Sequence, residues 1–145
     1  MTREVDRRKM VEDFLRDIWS DGNVDRCGRY LSDIYTIHHD PGDPWDGQTL
    51  DLAAFEERVR QSRKPFPDQQ FRVQEMFADG NAVVATWLWS ATHRGDIQGF
   101  PATGKPVTMS GVTIYYFDNE ERISGHWQVV DRLGVFRQLQ RARAS

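Results

Sequence analysis

The sequence predicts an α+β fold in which helices come first and a strongly bent, mostly antiparallel sheet follows. Three observations carry this. Up to about residue 63, apolar residues recur at helical spacing. From Phe71 onward the apolar period drops to two. Short turn sequences, Asp79-Gly80-Asn81 and Asp118-Asn119-Glu120, separate the alternating runs as hairpin loops do. Helices segregated from a meander of strands define that class.

Each element follows in order. Val11, Phe14, Leu15 and Ile18 recur with charged residues between them, which predicts an amphipathic helix from Arg3 to Trp19. Asp21-Gly22-Asn23 breaks it and offers an N-cap to a short second helix, Val24 to Tyr30. Ile34 to His39 is β-branched and aromatic, so a short strand is expected. The two prolines of Asp40-Pro41-Gly42-Asp43-Pro44 then impose a loop. Leu52, Phe55 and Val59 mark a third helix ending near Arg63, and Lys64-Pro65-Phe66-Pro67-Asp68 predicts extended chain after it. Phe71 and Val73 begin a strand that alternates with Arg72 and Gln74. The longest strand, Ala82 to about His93, sets Val83, Ala85, Trp87, Trp89, Ala91 and His93 on one face. Gly99 to Gly104 is a loop. Val107 to Phe117 and Arg122 to Asp131 pair as a second hairpin, and Val135 to Arg143 reads as a basic helical tail. Helices on the concave side of such a sheet leave a cavity at its open end, a preferred place for a small molecule.

Composition bounds the function. The 145 residues suit one domain, 1–145, without repeats or linkers. Hydrophobic residues make up 39%, but eight Phe, four Tyr and five Trp supply bulky core material, which excludes wholesale disorder. One cysteine, Cys27, excludes a disulfide scaffold. A net charge of −3 argues against nucleic acid as a partner. Neither a signal-peptide core nor a spanning segment follows the charged N-terminus, so a soluble, cytoplasmic protein with no membrane partner is expected.

Three stretches resemble one known family. Phe66-Pro67-Asp68, the loop Gly99-Phe100-Pro101-Ala102-Thr103-Gly104-Lys105, and Gly125-His126-Trp127 through Asp131-Arg132-Leu133-Gly134-Val135-Phe136-Arg137-Gln138-Leu139 resemble motifs of the SnoaL-like polyketide cyclases, in the nuclear transport factor 2-like superfamily. Their order and spacing hold from the first helix to Gln140. The resemblance implies a cone-shaped α+β barrel around an apolar pocket, an intramolecular aldol closure, no metal or organic cofactor, and a homodimer.

An aldol closure needs a base for the proton beside a carbonyl and a donor for the resulting oxyanion. In the family the base resembles an aspartate two residues after a histidine of the last strand. His126 matches that histidine, and the aspartate position holds Gln128, whose amide cannot accept a proton at neutral pH. His126 titrates near neutrality and is a candidate proton shuttle, with Gln128 on the same strand face to grip a carbonyl. A second family histidine falls near Tyr115. Asp131 has the opposite parity and competes between a supporting catalytic role and that of a helix cap or turn ligand. One of the adjacent histidines His38 and His39 can face the pocket, and His38 is taken as the candidate. Trp45, Phe66, Trp87 and Trp89 complete the expected substrate wall. Trp87 and Trp89 form a flat surface suited to a planar ligand or a dimer partner.

Other chemistries are weaker. The histidines lack a third ligand at defined spacing, so no metal site is expected. Gly99 to Pro106 imitates a phosphate loop, but Pro106 stands where the hydroxyl is required and a strand follows. Arg137, Arg141 and Arg143 read as a solvated basic face. An Asp-Arg-Asp arrangement for epoxide hydrolysis is not presented clearly by any strand. The expected function is a cofactor-independent cyclase or isomerase on an apolar, carbonyl-bearing, polyketide-like ligand. The alternative is a binding or dimerisation module that has lost the cyclase base.

Overall fold

The structure is a computed structural model and describes residues 3–144. Helix α1 (Arg3–Phe14) buries Val11 and Phe14 and continues into a π-helical turn, Leu15–Ser20, so the first helical segment reaches the predicted end by a wider last turn. The second helix is a 3₁₀ segment, Val24–Arg29. Asn23 does not cap it with its side chain as expected. Its Nδ2 donates instead to the buried carboxylate of Asp17 (2.8 Å), which also receives Arg26 Nη1 (3.1 Å) and Tyr30 Oη (2.7 Å). A buried carboxylate needs several donors, and that demand overrides local capping.

Strand β1 (Leu31–His39) starts three residues earlier than the sequence pattern suggests and pairs with the short β2 (Thr49–Asp51). Helix α2 (Leu52–Arg63) starts at Asp51, whose carboxylate accepts the Ala54 N–H at 2.8 Å. The stretch after α2 is a pair of tight turns rather than extended chain. Phe66 N–H bonds to Arg63 O, and Gln69 N–H to Phe66 O. The prolines end the helix, but Phe66 is then buried, which folds the segment back.

Strands β3 (Gln70–Asp79), β4 (Ala82–Thr92), β5 (Pro106–Phe117) and β6 (Ile123–Val130) form the antiparallel meander. Helix α3 (Arg132–Ala144) closes the described chain. The sheet order is β2-β1-β6-β5-β4-β3, with the β1–β6 junction parallel and the rest antiparallel. The sheet curls without closing. Its concave face holds α1, α2 and a core of Phe14, Ile18, Tyr35, Ile37, Phe55, Val59 and Ile123. A second apolar cluster, Phe66, Trp87, Trp89, Phe100, Val107 and Leu139, lies toward the other end of the strands, where α3 covers β5. The predicted cavity opens beside that cluster.

Gly111 shows how the aromatic wall is made. It lies opposite Trp87 across β4–β5, and a Cβ there would collide with the indole ring. The missing side chain lets the ring lie against the sheet.

Candidate active site

A cavity of about 1200 Å³ lies between α2, the turns after it, β4–β6 and the start of α3. Its apolar walls are Trp19, Trp45, Phe66, Trp87, Trp89 and Phe100. At one end, Asp43, Arg58, Tyr115, His126, Gln128 and Arg132 supply polar groups. Trp45, Phe66, Trp87, Trp89, Tyr115, His126 and Gln128 therefore all border the same space. Strand alternation explains most of this. Trp87 and Trp89 on β4, Tyr115 on β5, and His126 and Gln128 on β6 share the concave face.

Two expected residues do not border it. Asp131 accepts the Gly134 N–H at 2.9 Å and caps the first turn of α3. Its parity directs it away, and no bulge reverses that. His38 is exposed on the convex face, its ring 5.3 Å from that of Tyr116. The pocket does not take His39 either. A register shift at the end of β1 stacks it on Trp127 at 4.4 Å.

The centre of the polar end is a residue that sequence reasoning placed in a loop. Asp40 does lie in that loop, directly after β1, yet it is only 1% exposed. Its Oδ2 accepts from His126 Nε2 (2.9 Å), Gln128 Nε2 (2.9 Å) and Arg58 Nη2 (3.3 Å), and its Oδ1 accepts from Arg132 Nη2 (2.7 Å). Burial raises the carboxyl pKa, but the His126 hydrogen bond and the two guanidiniums outweigh it and hold Asp40 below the usual carboxylate range. Arg58 also pairs with Asp43 at 3.1 Å and lies over the rings of Trp19, Phe55 and Trp45 at 5.2, 5.6 and 6.0 Å. Two carboxylates and two guanidiniums thus balance at this end.

The proton positions follow from what each group is able to do. Burial pushes the His126 imidazole below its ordinary value, so the ring is neutral near pH 7. Ionised Asp40 only accepts, so His126 Nε2 carries the hydrogen. Nδ1 then accepts from Tyr35 Oη at 2.6 Å. Both ring nitrogens are engaged, and Tyr35 is fully buried. The expected proton shuttle at His126 has no free lone pair.

The same reasoning fixes Gln128. Trp87 Nε1, a donor only, bonds to Thr113 Oγ1 at 2.9 Å. Thr113 must then donate to Gln128 Oε1, at 2.7 Å. Gln128 Nε2 gives one N–H to Asp40 and keeps a second. An amide with this polarity is a hydrogen-bond donor toward the cavity. Behind the amide stands the carboxylate of Asp40, from the loop after β1.

Asp40, Arg58 and Asp43 also compose the Asp-Arg-Asp grouping that no strand presented. A loop and a helix assemble it. Opening an epoxide needs a group that gives a proton to the leaving oxygen. Asp40 is held as the anion, and Asp43 is the carboxyl of the grouping that borders the cavity. The signal for this cluster was Arg58. It sits three residues after Phe55 and beside Val59, a charge on the apolar stripe of α2, and such a charge needs carboxylates inside. Among the described residues, no group of three His, Cys, Asp or Glu side chains is arranged to hold a metal ion.

A curled, unclosed α+β sheet around an aromatic cavity with polar groups at one end is the nuclear transport factor 2-like fold. The SnoaL-like polyketide cyclase family description matches residues 9–139 of this chain, and the protein belongs to that family. A crystal structure of a candidate polyketide cyclase from Acidithiobacillus ferrooxidans is 52% identical over 98% of this chain and 99% of its own, with a TM-score of 0.91. IdmH, a candidate polyketide cyclase from Streptomyces antibioticus, shares the fold at 21% identity, TM-score 0.77, over 92% of this chain and 98% of its own. AclR, a candidate hydroxylase from Streptomyces galilaeus, shares it at 19% identity, TM-score 0.79, over 95% and 83%. Comparison with curated proteins gives no match.

Proposed function

We propose that the cavity turns over an apolar, carbonyl-bearing, polyketide-like substrate as a cyclase or isomerase, without a cofactor. The observation that carries this reading is the polar end of the aromatic cavity, where a carboxylate and two uncommitted donors meet. Asp43 is the carboxylate that borders the cavity there. Its Oδ1 accepts from Trp45 N at 2.8 Å, and its Oδ2 pairs with Arg58. In this reading Asp43 takes the proton beside the substrate carbonyl, and Gln128 and Arg58 stabilise the enolate oxygen. The enolate carbon then attacks a second carbonyl, and the alkoxide recovers the proton. Asp40, His126 and Tyr35 act behind them as positioning residues that fix the amide and the guanidinium. Aromatic walls exclude water and hold a planar chain folded.

The expected result is deuterium exchange beside the carbonyl of an aryl methyl ketone, catalysed above buffer and reduced about 100-fold or more by Asp43→Asn. Undiminished exchange in that variant removes Asp43 from the role. The second reading, a binding module, draws support from the fully engaged Asp40 and His126. It predicts no exchange by the unmodified protein.

We propose a homodimer as well. The convex face exposes Ile34, Phe77, Leu88, Val112, Trp127 and Val129 on five of the strands. Exposed apolar residues on that face support the reading. Light scattering is expected to give twice the chain mass, and Val129→Lys to lower it. A monomer in both samples refutes the dimer. A cytoplasmic setting is favoured by Cys27, whose buried thiol is pushed up to about 12 by desolvation and has no partner for a disulfide. No helix of the described residues is long and apolar enough to cross a membrane.

A further inference from the structure

Arg58 carries a donor with nothing to receive it. Its side chain is 5% exposed, and the residue borders the cavity. Nη2 is shared between Asp40 and Asp43, but the buried Nε has no hydrogen-bond partner among the described residues. Leaving such a group unsatisfied is costly, so an acceptor from a bound molecule is favoured beside it. Gln128 adds a second donor. The chain from Trp87 through Thr113 fixes its amide nitrogen toward Asp40, and one N–H remains uncommitted. Gln128 Nε2 and Arg58 Nη2 bond to the same atom, Asp40 Oδ2, so the amide and the guanidinium lie side by side.

Charge selects the acceptor. Asp40 and Asp43 already balance Arg58 and Arg132. A ligand carboxylate would add an unmatched negative charge next to Asp43 in a poorly solvated place. An uncharged carbonyl oxygen satisfies both donors and leaves the balance intact.

We infer that Arg58 Nε and the free N–H of Gln128 form a two-donor site for an uncharged carbonyl oxygen, and that the cavity selects neutral ketones over carboxylates of the same shape. This rests on the cavity being the ligand site proposed above, and it adds the recognising atoms and the charge of the ligand. Thr113 is a positioning residue for it.

Equilibrium dialysis with three naphthalenes tests this near neutral pH without requiring turnover. The neutral ketone 2-acetonaphthone is expected to bind about 10-fold tighter than the hydrocarbon 2-ethylnaphthalene, and 2-naphthoate more weakly than the ketone. Arg58→Lys keeps a cation for the two carboxylates but lacks Nε, and should lower the ketone-to-hydrocarbon preference to about 3-fold. If that variant does not fold, Gln128→Leu reads the other donor in the same assay. Equal binding of ketone and hydrocarbon, tightest binding of the carboxylate, or binding of none of the three overturns the inference. Ketone preference without deuterium exchange would instead uphold this site and remove the cyclase reading.

Discussion

Replacing Asp40 by Asn is expected to destabilise the protein by about 3–5 kcal/mol at pH 7, the range for breaking a buried ion pair from one side. Four donors converge on this carboxylate, from His126, Gln128, Arg58 and Arg132. An Asn amide brings donors of its own into that shell and leaves Arg58 less fully neutralised in the interior. Urea titration measures the loss, and a variant within about 1 kcal/mol of the parent would show that the network contributes little. The pH dependence has a definite sign. The Asp40 pKa is lowered on folding, so its contribution is present above the ordinary carboxylate range and is lost as pH falls through the lower folded value. His126 is also lowered, so between its folded value and its ordinary value the unfolded chain binds the proton and the folded one does not. Stability is therefore expected to fall as pH drops below about 6.5, before the carboxylates titrate. A His126→Asn variant should lose that upper limb. An unchanged limb in the variant would assign it to another group.

Gly125→Ala is expected to give the next largest effect, about 2–3 kcal/mol of destabilisation, at the upper part of the range for forcing atoms into a packed interior. A Cβ at this position would run into the backbone carbonyl oxygen of Thr36, and His38 Nε2 lies 3.0 Å away. The obstacle is backbone at the parallel β1–β6 junction, where Thr36 pairs with Gly125 and Ile37 with His126. A flexible side chain could move aside, but a paired strand cannot without shifting register. Because Asp40 directly follows β1 and His126 follows Gly125, the same displacement should loosen the His126–Asp40 bond. Thermal unfolding reads the first effect, and the imidazole nitrogen chemical shifts of His126 read the second. A variant that melts with the parent and keeps those shifts would mean that the junction is wider than described.

Much of the architecture was legible along the chain because its causes are local. The period of the apolar residues separates α1 and α2 from β3 and β4. Asp79-Gly80-Asn81 and the prolines after Asp40 place the breaks. Alternation put Trp87 with Trp89 and His126 with Gln128, each pair on one face of its own strand, and it turned Asp131 away. The readings that failed are those where a distant partner outbid a local preference. Asn23 gives up its cap for Asp17, and His38, the histidine taken for the pocket, lies exposed on the convex face while a register shift turns His39 aside as well.

The chemistry of the site divides in the same way. From the residues alone come an aromatic pocket, a histidine beside an amide on the last strand, and no carboxylate at position 128. Where the carboxylate is found depends on the sheet curling until the end of β1 lies behind β6. Asp40 then meets partners 18, 86, 88 and 92 residues away. Hydrogen-bond direction depends on that whole set, since a neutral imidazole or an amide takes its polarity from its neighbours. Only the assembled structure makes Gln128 a donor, gives both nitrogens of His126 a partner, and leaves Arg58 Nε waiting for one.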